Sequence, residues 1–306
     1  MQSSINWFIA LVAIALSALP VHAQDDLLDL LESKEEPQVE YAIATFKNTR
    51  LISGHSIETN SEGVLQFLIS HRFGRLNSGW RDLYGLDNST IRLGFEYGLT
   101  DRLNIGLGRS SYLKTYDGTV KMKVLRQKSG AEKFPFTATW VSSMYVNATD
   151  WPDPDRVNYF TSRLTYHHAL LLARRFNSKF SLQLMPTVVH RNIVPLEADK
   201  NTMLSLGTGG SLRLNGSMRL NAEYYYILPN QFKSLVGGEK ITNSLSVGID
   251  LETGGHVFQL HLTNSRGMTE KYLIGETTGS WGKGDIHFGF NVSRVFTAKK
   301  PKEFKK

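Results

Sequence analysis

No cysteine occurs in the 306 residues, which excludes a disulfide scaffold, a thiolate-ligated zinc site and a thiol nucleophile. Long apolar runs are also missing. Past residue 23 no window approaches the roughly 18 apolar residues of a membrane-spanning helix. With a mean hydropathy of −0.24, a polytopic helical membrane protein is excluded. Acidic side chains are in the minority, 28 Asp and Glu against 35 Lys and Arg, for a net charge of +7 and a pI near 9.4. Such a balance suggests nucleic acid or an anionic surface as partner, but only where the charge is clustered. The length admits one large domain or two ordinary ones.

The one sustained apolar stretch is at 7–19 (WFIALVAIALSAL), closed by Pro20 and an A-x-A-like cleavage site at Val21-His22-Ala23. It is too short to span a bilayer and reads as an export signal over 1–23, although the preceding MQSSIN carries no Lys or Arg. A buried N-terminal helix is the competing reading. Export puts the mature chain in the periplasm, outer membrane or medium and removes nucleic acid as a partner.

Beyond it the chain alternates. In 91–99, Ile91, Leu93, Phe95, Tyr97 and Leu99 share one face, while Arg92, Glu96 and glycines share the other. Period two is the signature of a β-strand with one greasy face. Twelve such segments are predicted: 64–73, 89–99, 102–112, 119–126, 134–146, 158–175, 180–192, 202–214, 218–228, 242–252, 256–264 and 285–296. The second half of 158–175 could also be helical. Short connections (100–101, 127–133, 177–179, 215–217, 253–255) alternate with longer ones (74–88, 147–157, 193–201, 229–241, 265–284), with 113–118 shorter than its class. Bacterial outer-membrane barrels have this asymmetry of tight periplasmic turns and long outside loops.

The polar face carries Arg92, Glu96, Lys121, Lys123, Arg163, Arg213, Arg219, Glu223 and Asp250, joined by His261 and His287. So many ionisable groups do not fill a dry core without large desolvation costs. They can line a wet lumen while Leu, Ile, Phe and Tyr face lipid. The expected fold is an all-β, antiparallel, up-and-down transmembrane barrel of about twelve strands. A secreted sandwich with a charged outer face is the bland alternative. The last segment argues against it: Phe288, Phe290, Val292 and Phe296 alternate, like the C-terminal signal read by the barrel-assembly machinery, although ten residues follow.

The stretches at 69–112, 181–192 (SLQLMPTVVHRN), 254–265 (GGHVFQLHLTNS) and 284–296 (GDIHFGFNVSRVF) resemble a domain-of-unknown-function family of outer-membrane β-barrels of Gram-negative bacteria. The resemblance covers about 40–296. It implies a fold and a location, and no substrate or reaction.

No catalytic residue, metal or cofactor is assigned. His261 and His287, with Asp285, are the transition-metal candidates, and an ordinary hydrogen-bonding role is the more economical reading. Asp153 and Asp155 offer calcium too few ligands, and a Pro-stiffened loop is the plainer reading there. His190-Arg191-Asn192 reads as rim structure. No G-x-S-x-G elbow and no Ser/His/Asn constellation supports a lipid-acting enzyme. Tyr97, Trp140, Tyr166, Tyr224 and Tyr226 suit interface girdles. Residues 24–60 divide into an acidic stretch, 24–40, and a segment at 41–60 that could be a lumen plug or an extra strand. Either could dock a periplasmic partner. The tail, 297–306, is basic. Between them, 41–296 holds twenty-nine basic and twenty acidic side chains, a net +9. The expected function is therefore a narrow channel or binding barrel for a small, anionic solute, in contact with outer-membrane lipid. A structural barrel docking periplasmic partners is the alternative. The acidic N-terminal stretch is the expected attraction partner of the basic wall.

Overall fold

The structure is a computed structural model that describes residues 38–151, 153–232 and 238–299. The expected export signal, the acidic stretch up to residue 37 and the tail from residue 300 lie outside the described residues. The chain divides into two units, 1–40 with 129–133, and 41–128 with 134–306. In the described part of the smaller unit, the Ala131 N–H donates to the Gln38 carbonyl at 3.3 Å.

The larger unit is a closed barrel. Its strands are β1 (Val64–Arg75), β2 (Ser89–Gly98), β3 (Leu103–Ser110), β4 (Thr115–Leu125), β5 (Thr137–Asn147), β6 (Leu164–Arg175), β7 (Phe180–Arg191), β8 (Thr202–Arg213), β9 (Met218–Ile227), β10 (Ser244–Thr253), β11 (His256–Thr263) and β12 (His287–Thr297). Each pairs antiparallel with the next, and β12 returns to β1, Phe290 opposite His71. Closure leaves no unpaired edge, the condition for a sheet in hydrocarbon.

The alternation sorts side chains as a membrane requires. Phe95 and Leu107 point outward, 48% and 71% exposed, whereas Arg92 and Lys121 point inward, 3% and 1% exposed. A water-soluble barrel would reverse this. The seam is zipped on its outer face by ring stacking of Phe290 on His71 (4.9 Å) and Phe288 on Phe73 (5.7 Å).

Three strand limits differ from expectation for local reasons. β6 begins at 164 because Phe160–Arg163 forms a 3-10 turn. β4 begins at 115 because Leu113 and Lys114, at φ of 51° and 44°, reverse the chain within four residues. β5 begins at 137, since Phe134 bridges back to Lys128 and Pro135 has no N–H to offer a ladder.

Candidate functional site

The lumen is filled. Residues 44–60 add no strand to the wall. They enter the barrel, turn through a bridge between Arg50 and His55, and are almost entirely buried. From the long-loop end the connection after β11 folds inward and forms a short buried helix, α1 (Glu270–Gly275).

Wall side chains hold this plug mostly by its backbone. Glu223 accepts the N–H groups of Ile52 (3.3 Å), Ser53 (3.0 Å) and Gly54 (3.0 Å). A carboxylate facing three consecutive amides is an anion seated in a turn. Lys121 Nζ donates to the carbonyls of Thr49 (2.8 Å) and Glu58 (3.1 Å). Gln259 and Asn291 donate to the carbonyls of Leu51 (2.6 Å) and Ile52 (2.8 Å). Gln183 accepts from the Ile57 N–H at 2.9 Å and donates to the His55 carbonyl at 2.8 Å. Arg72 donates to Ser53 Oγ at 2.9 Å, and Arg219 to the Thr45 carbonyl at 3.2 Å.

The plug in turn supplies one cation to the centre. Arg50 lies 3.6 Å from Glu96 and 3.8 Å from Glu270, and Lys121 lies 3.9 Å from Glu96. Glu270 also accepts the His55 N–H (2.7 Å) and the Tyr145 hydroxyl (3.2 Å). Beside this polar centre is a dry half. Phe46, Leu51 and Ile57 of the plug pack with Val141, Leu171, Met185 and Met203 of the wall and Leu273 and Ile274 of α1. Glycine makes the fit. A Cβ at Gly209 would sit 2.2 Å from Leu51 Cδ1, and one at Gly54 would sit 1.9 Å from the Tyr225 hydroxyl.

Among the expected lumen residues, Arg92, Glu96, Lys121, Arg219, Glu223, Asp250, His261 and His287 are all buried on the inner face. Arg92 Nε donates to Asp117 at 2.9 Å, Gln259 donates to Asp250 at 2.5 Å, and Lys123 lies 3.7 Å from Glu58. The wet lumen expected around them is corrected: plug atoms, not bulk water, meet most of these groups. Two positions are corrected outright. Arg163 belongs to the turn before β6, donates to the carbonyls of Asn147 and Thr149, and lies over the Trp151 ring. Arg213 is exposed at the end of β8 and donates to the Asn215 carbonyl. The plug at 44–60, within the segment expected to be a plug or an extra strand, carries Lys47, Arg50 and Glu58, while the acidic stretch up to residue 37 lies outside the described residues.

His261 and His287 occupy neighbouring strands two positions out of step, opposite Gly289 and Thr263. His287 Nδ1 meets the Phe73 carbonyl at 2.9 Å, while neither His261 nitrogen has a hydrogen-bond partner among the described residues. Asp285 is engaged by Asn77 Nδ2 (2.8 Å) and the Ser280 N–H (3.1 Å), and the Asn77 bond leads in holding its carboxyl below the usual range. Among the described residues no group of three His, Asp or Glu could hold a metal. His190 bonds Thr202 on the outer face at 2.8 Å. Four inward groups escaped the sequence reading. Arg72, Asp117 and Arg191 share the parity of the chosen set and could have been found by extending it to strand ends. Glu270 gave no signal, since nothing in its loop indicates that it folds inward.

Several solved structures align with the chain at low identity. A structure of the NanC porin aligns with a TM-score of 0.49 at 8% identity, over 75% of this chain and 98% of its own. The outer membrane phospholipase A from Escherichia coli aligns with 0.45 at 11% identity, over 81% and 93%. An outer membrane channel from Pseudomonas putida F1 aligns with 0.44 at 13% identity, over 78% and 98%. No curated protein sequence matches. A family model does, over residues 46–296, which takes in most of the plug and the entire wall, and the chain belongs to that family, the membrane bound beta barrel domain DUF5777.

Proposed function

We propose that this barrel is an outer-membrane passage for small anionic solutes, closed at rest by residues 44–60. The outer membrane is favoured by the export signal, the outward apolar face and the alternation of tight turns with long loops. One observation carries the passage reading: the segment that fills the lumen contributes nothing to the closure of the wall. The twelve-strand hydrogen-bond circuit is complete without it. Many of its attachments are side-chain bonds to backbone, of the kind that exchange for water at modest net cost, about 1 kcal/mol each, beside the ion pairs of Arg50 and the apolar packing of Phe46, Leu51 and Ile57.

Planar-bilayer recording tests the proposal. Wild type is expected to be mostly silent, and deletion of 44–60 to give steady, narrow conductance, with α1 still inside. Asn48 Nδ2 lies 2.8 Å from Ser293 Oγ. A pair of Asn48→Cys and Ser293→Cys, bridged by a short bis(methanethiosulfonate) crosslinker that forms a disulfide to each thiol, should abolish residual openings until reduced. The absence of native cysteine makes this clean. A deletion protein that folds, migrates as a heat-modifiable barrel and passes no current sinks the passage.

The apolar half of the lumen favours a second reading, a sealed structural barrel that docks periplasmic partners through 24–60. A lipid-acting enzyme has less support: the outward His190–Thr202 pair shows no acid or amide bonded to the ring among the described residues. Phe288, Phe290, Val292 and Phe296, on the outer face of β12, are the proposed contact for the assembly machinery.

A further inference from the structure

We propose that the long-loop mouth of the barrel holds a binding site for a small organic carboxylate, built on Arg191. It deepens the passage reading and rests on it for its place along a route. Binding is measured without current, so the two can fail separately.

Arg191 ends β7 on the inner face, in step with Gln183, Met185 and Val189. It is 7% exposed, yet among the described residues its guanidinium makes no hydrogen bond or ion pair, and Nε and Nη2 are sealed without partners there. Among the described residues the Phe232 ring lies 5.3 Å from its Cζ. The nearby acids, Glu276 first and Asp199 second, act on its charge through space. Every other inward-facing arginine described above has a partner. A buried cation without one is strongly disfavoured unless something charged visits it.

The space for a visitor is present. Arg191 lines a cavity of about 400 Å³ with Arg163, Thr165, Pro195, Lys271 and Glu276. This is within the usual range for small-molecule sites. Lys271 and Glu276 largely neutralise each other at 3.4 Å. Arg163 directs Nη1 at two carbonyls and keeps its charge. The cavity lining therefore has an excess of two cations, one of them, Arg191, without a hydrogen bond or ion pair among the described residues. A planar guanidinium fork matches the two oxygens of a carboxylate. The Arg163 Nη1 group is already taken up by carbonyls, so one free guanidinium fork remains, and it suits the single pair of oxygens of a monoanionic carboxylate.

The test is isothermal titration of the detergent-purified full chain with benzoate, gluconate, inorganic phosphate and glucose. Saturable binding of a carboxylate is expected, weakened at least tenfold in Arg191→Gln and partly restored in Arg191→Lys. Glucose should give no heat. Arg191→Gln should keep heat-modifiable migration and melt no lower than wild type, because the substitution removes an unpaired buried charge. Unchanged affinity in Arg191→Gln, preference for phosphate, or no saturable carboxylate heat up to about 50 mM would overturn the site.

Discussion

Glu223 shows what one side chain does in a filled barrel. Its carboxylate takes three amides of the plug and the Ser246 hydroxyl (3.2 Å), all away from water. Truncation to alanine leaves those donors unsatisfied, and each buried orphan costs about 1–3 kcal/mol. We expect Glu223→Ala to weaken plug docking by about 3 kcal/mol and Glu223→Gln by less, since an amide oxygen still accepts. Amide hydrogen exchange at residues 52–54 checks this: protection should fall in the order wild type, glutamine, alanine. Equal protection in all three would mean that the plug is held elsewhere. The inward direction of Glu223 was legible in the sequence because alternation in 218–228 is strict. Its partner was not, because a backbone amide 169 residues away leaves no mark in a periodic pattern.

At the scale of elements, the wall was readable and its contents were not. Twelve strands and their turns follow from period two and local turn chemistry. The plug at 44–60 has no period, and α1 lies in a loop, so only their burial identifies them. Gly209 links the two levels. It lies on the inner face of β8 against Leu51, whereas the next residue, Gly210, has ordinary room for a Cβ, no heavy atom lying nearer than 3.8 Å. Gly209→Val should displace the plug at an overpacking cost of about 1–3 kcal/mol. In bilayers it should raise open probability, and Gly210→Val should not. Matching currents from the two variants would show that Leu51 repacks freely.

At the rim the inserted loop and the β9–β10 connection, which carries Glu239, are fastened together through Arg75. Arg75 donates to Glu239 and to Thr278 Oγ1 (3.1 Å), and lies 3.6 Å from Asp285. Hydrogen bonds from Arg75 and Thr278 hold the Glu239 carboxyl down at about 2. A carboxyl with a depressed folded value stabilises the fastened state above its unfolded value, about 4.3, and loses that contribution as pH falls toward 2. Loop cleavage by an acid-active protease should therefore rise between about pH 4.5 and 2, and be flat above 5. Glu239→Gln should cleave readily throughout. The group is half in solvent, so the effect is modest and weakened by salt.

For the whole molecule, the charge of +9 over 41–296 overstates what an opened pore would present, because much of it is outside. The inner wall carries Arg72, Arg92, Lys121, Lys123, Arg191 and Arg219 against Glu96, Asp117, Glu223 and Asp250, a net +2. Arg163 and Arg213, counted toward the lumen from sequence, drop out, and three unforeseen groups replace them. Glu270 on α1 reduces the sum to +1, since removing 44–60 also takes Arg50 away. The anion preference expected of the deletion protein is thus weak, and it rests on a few unpaired cations rather than on a uniformly basic wall. Removing the plug frees Lys121 and Arg219 from plug carbonyls and Glu223 from plug amides, so the residual sign depends on the balance of these three. Reversal potentials in a salt gradient should show a small anion preference that fades at high salt, as the Debye length shrinks from about 10 Å at 0.1 M to about 3 Å at 1 M. Lys121→Gln together with Arg219→Gln should turn the preference toward cations, while Arg213→Gln, on the outside, should leave it unchanged. Cation selectivity in the parent deletion protein would contradict the inner-wall count itself.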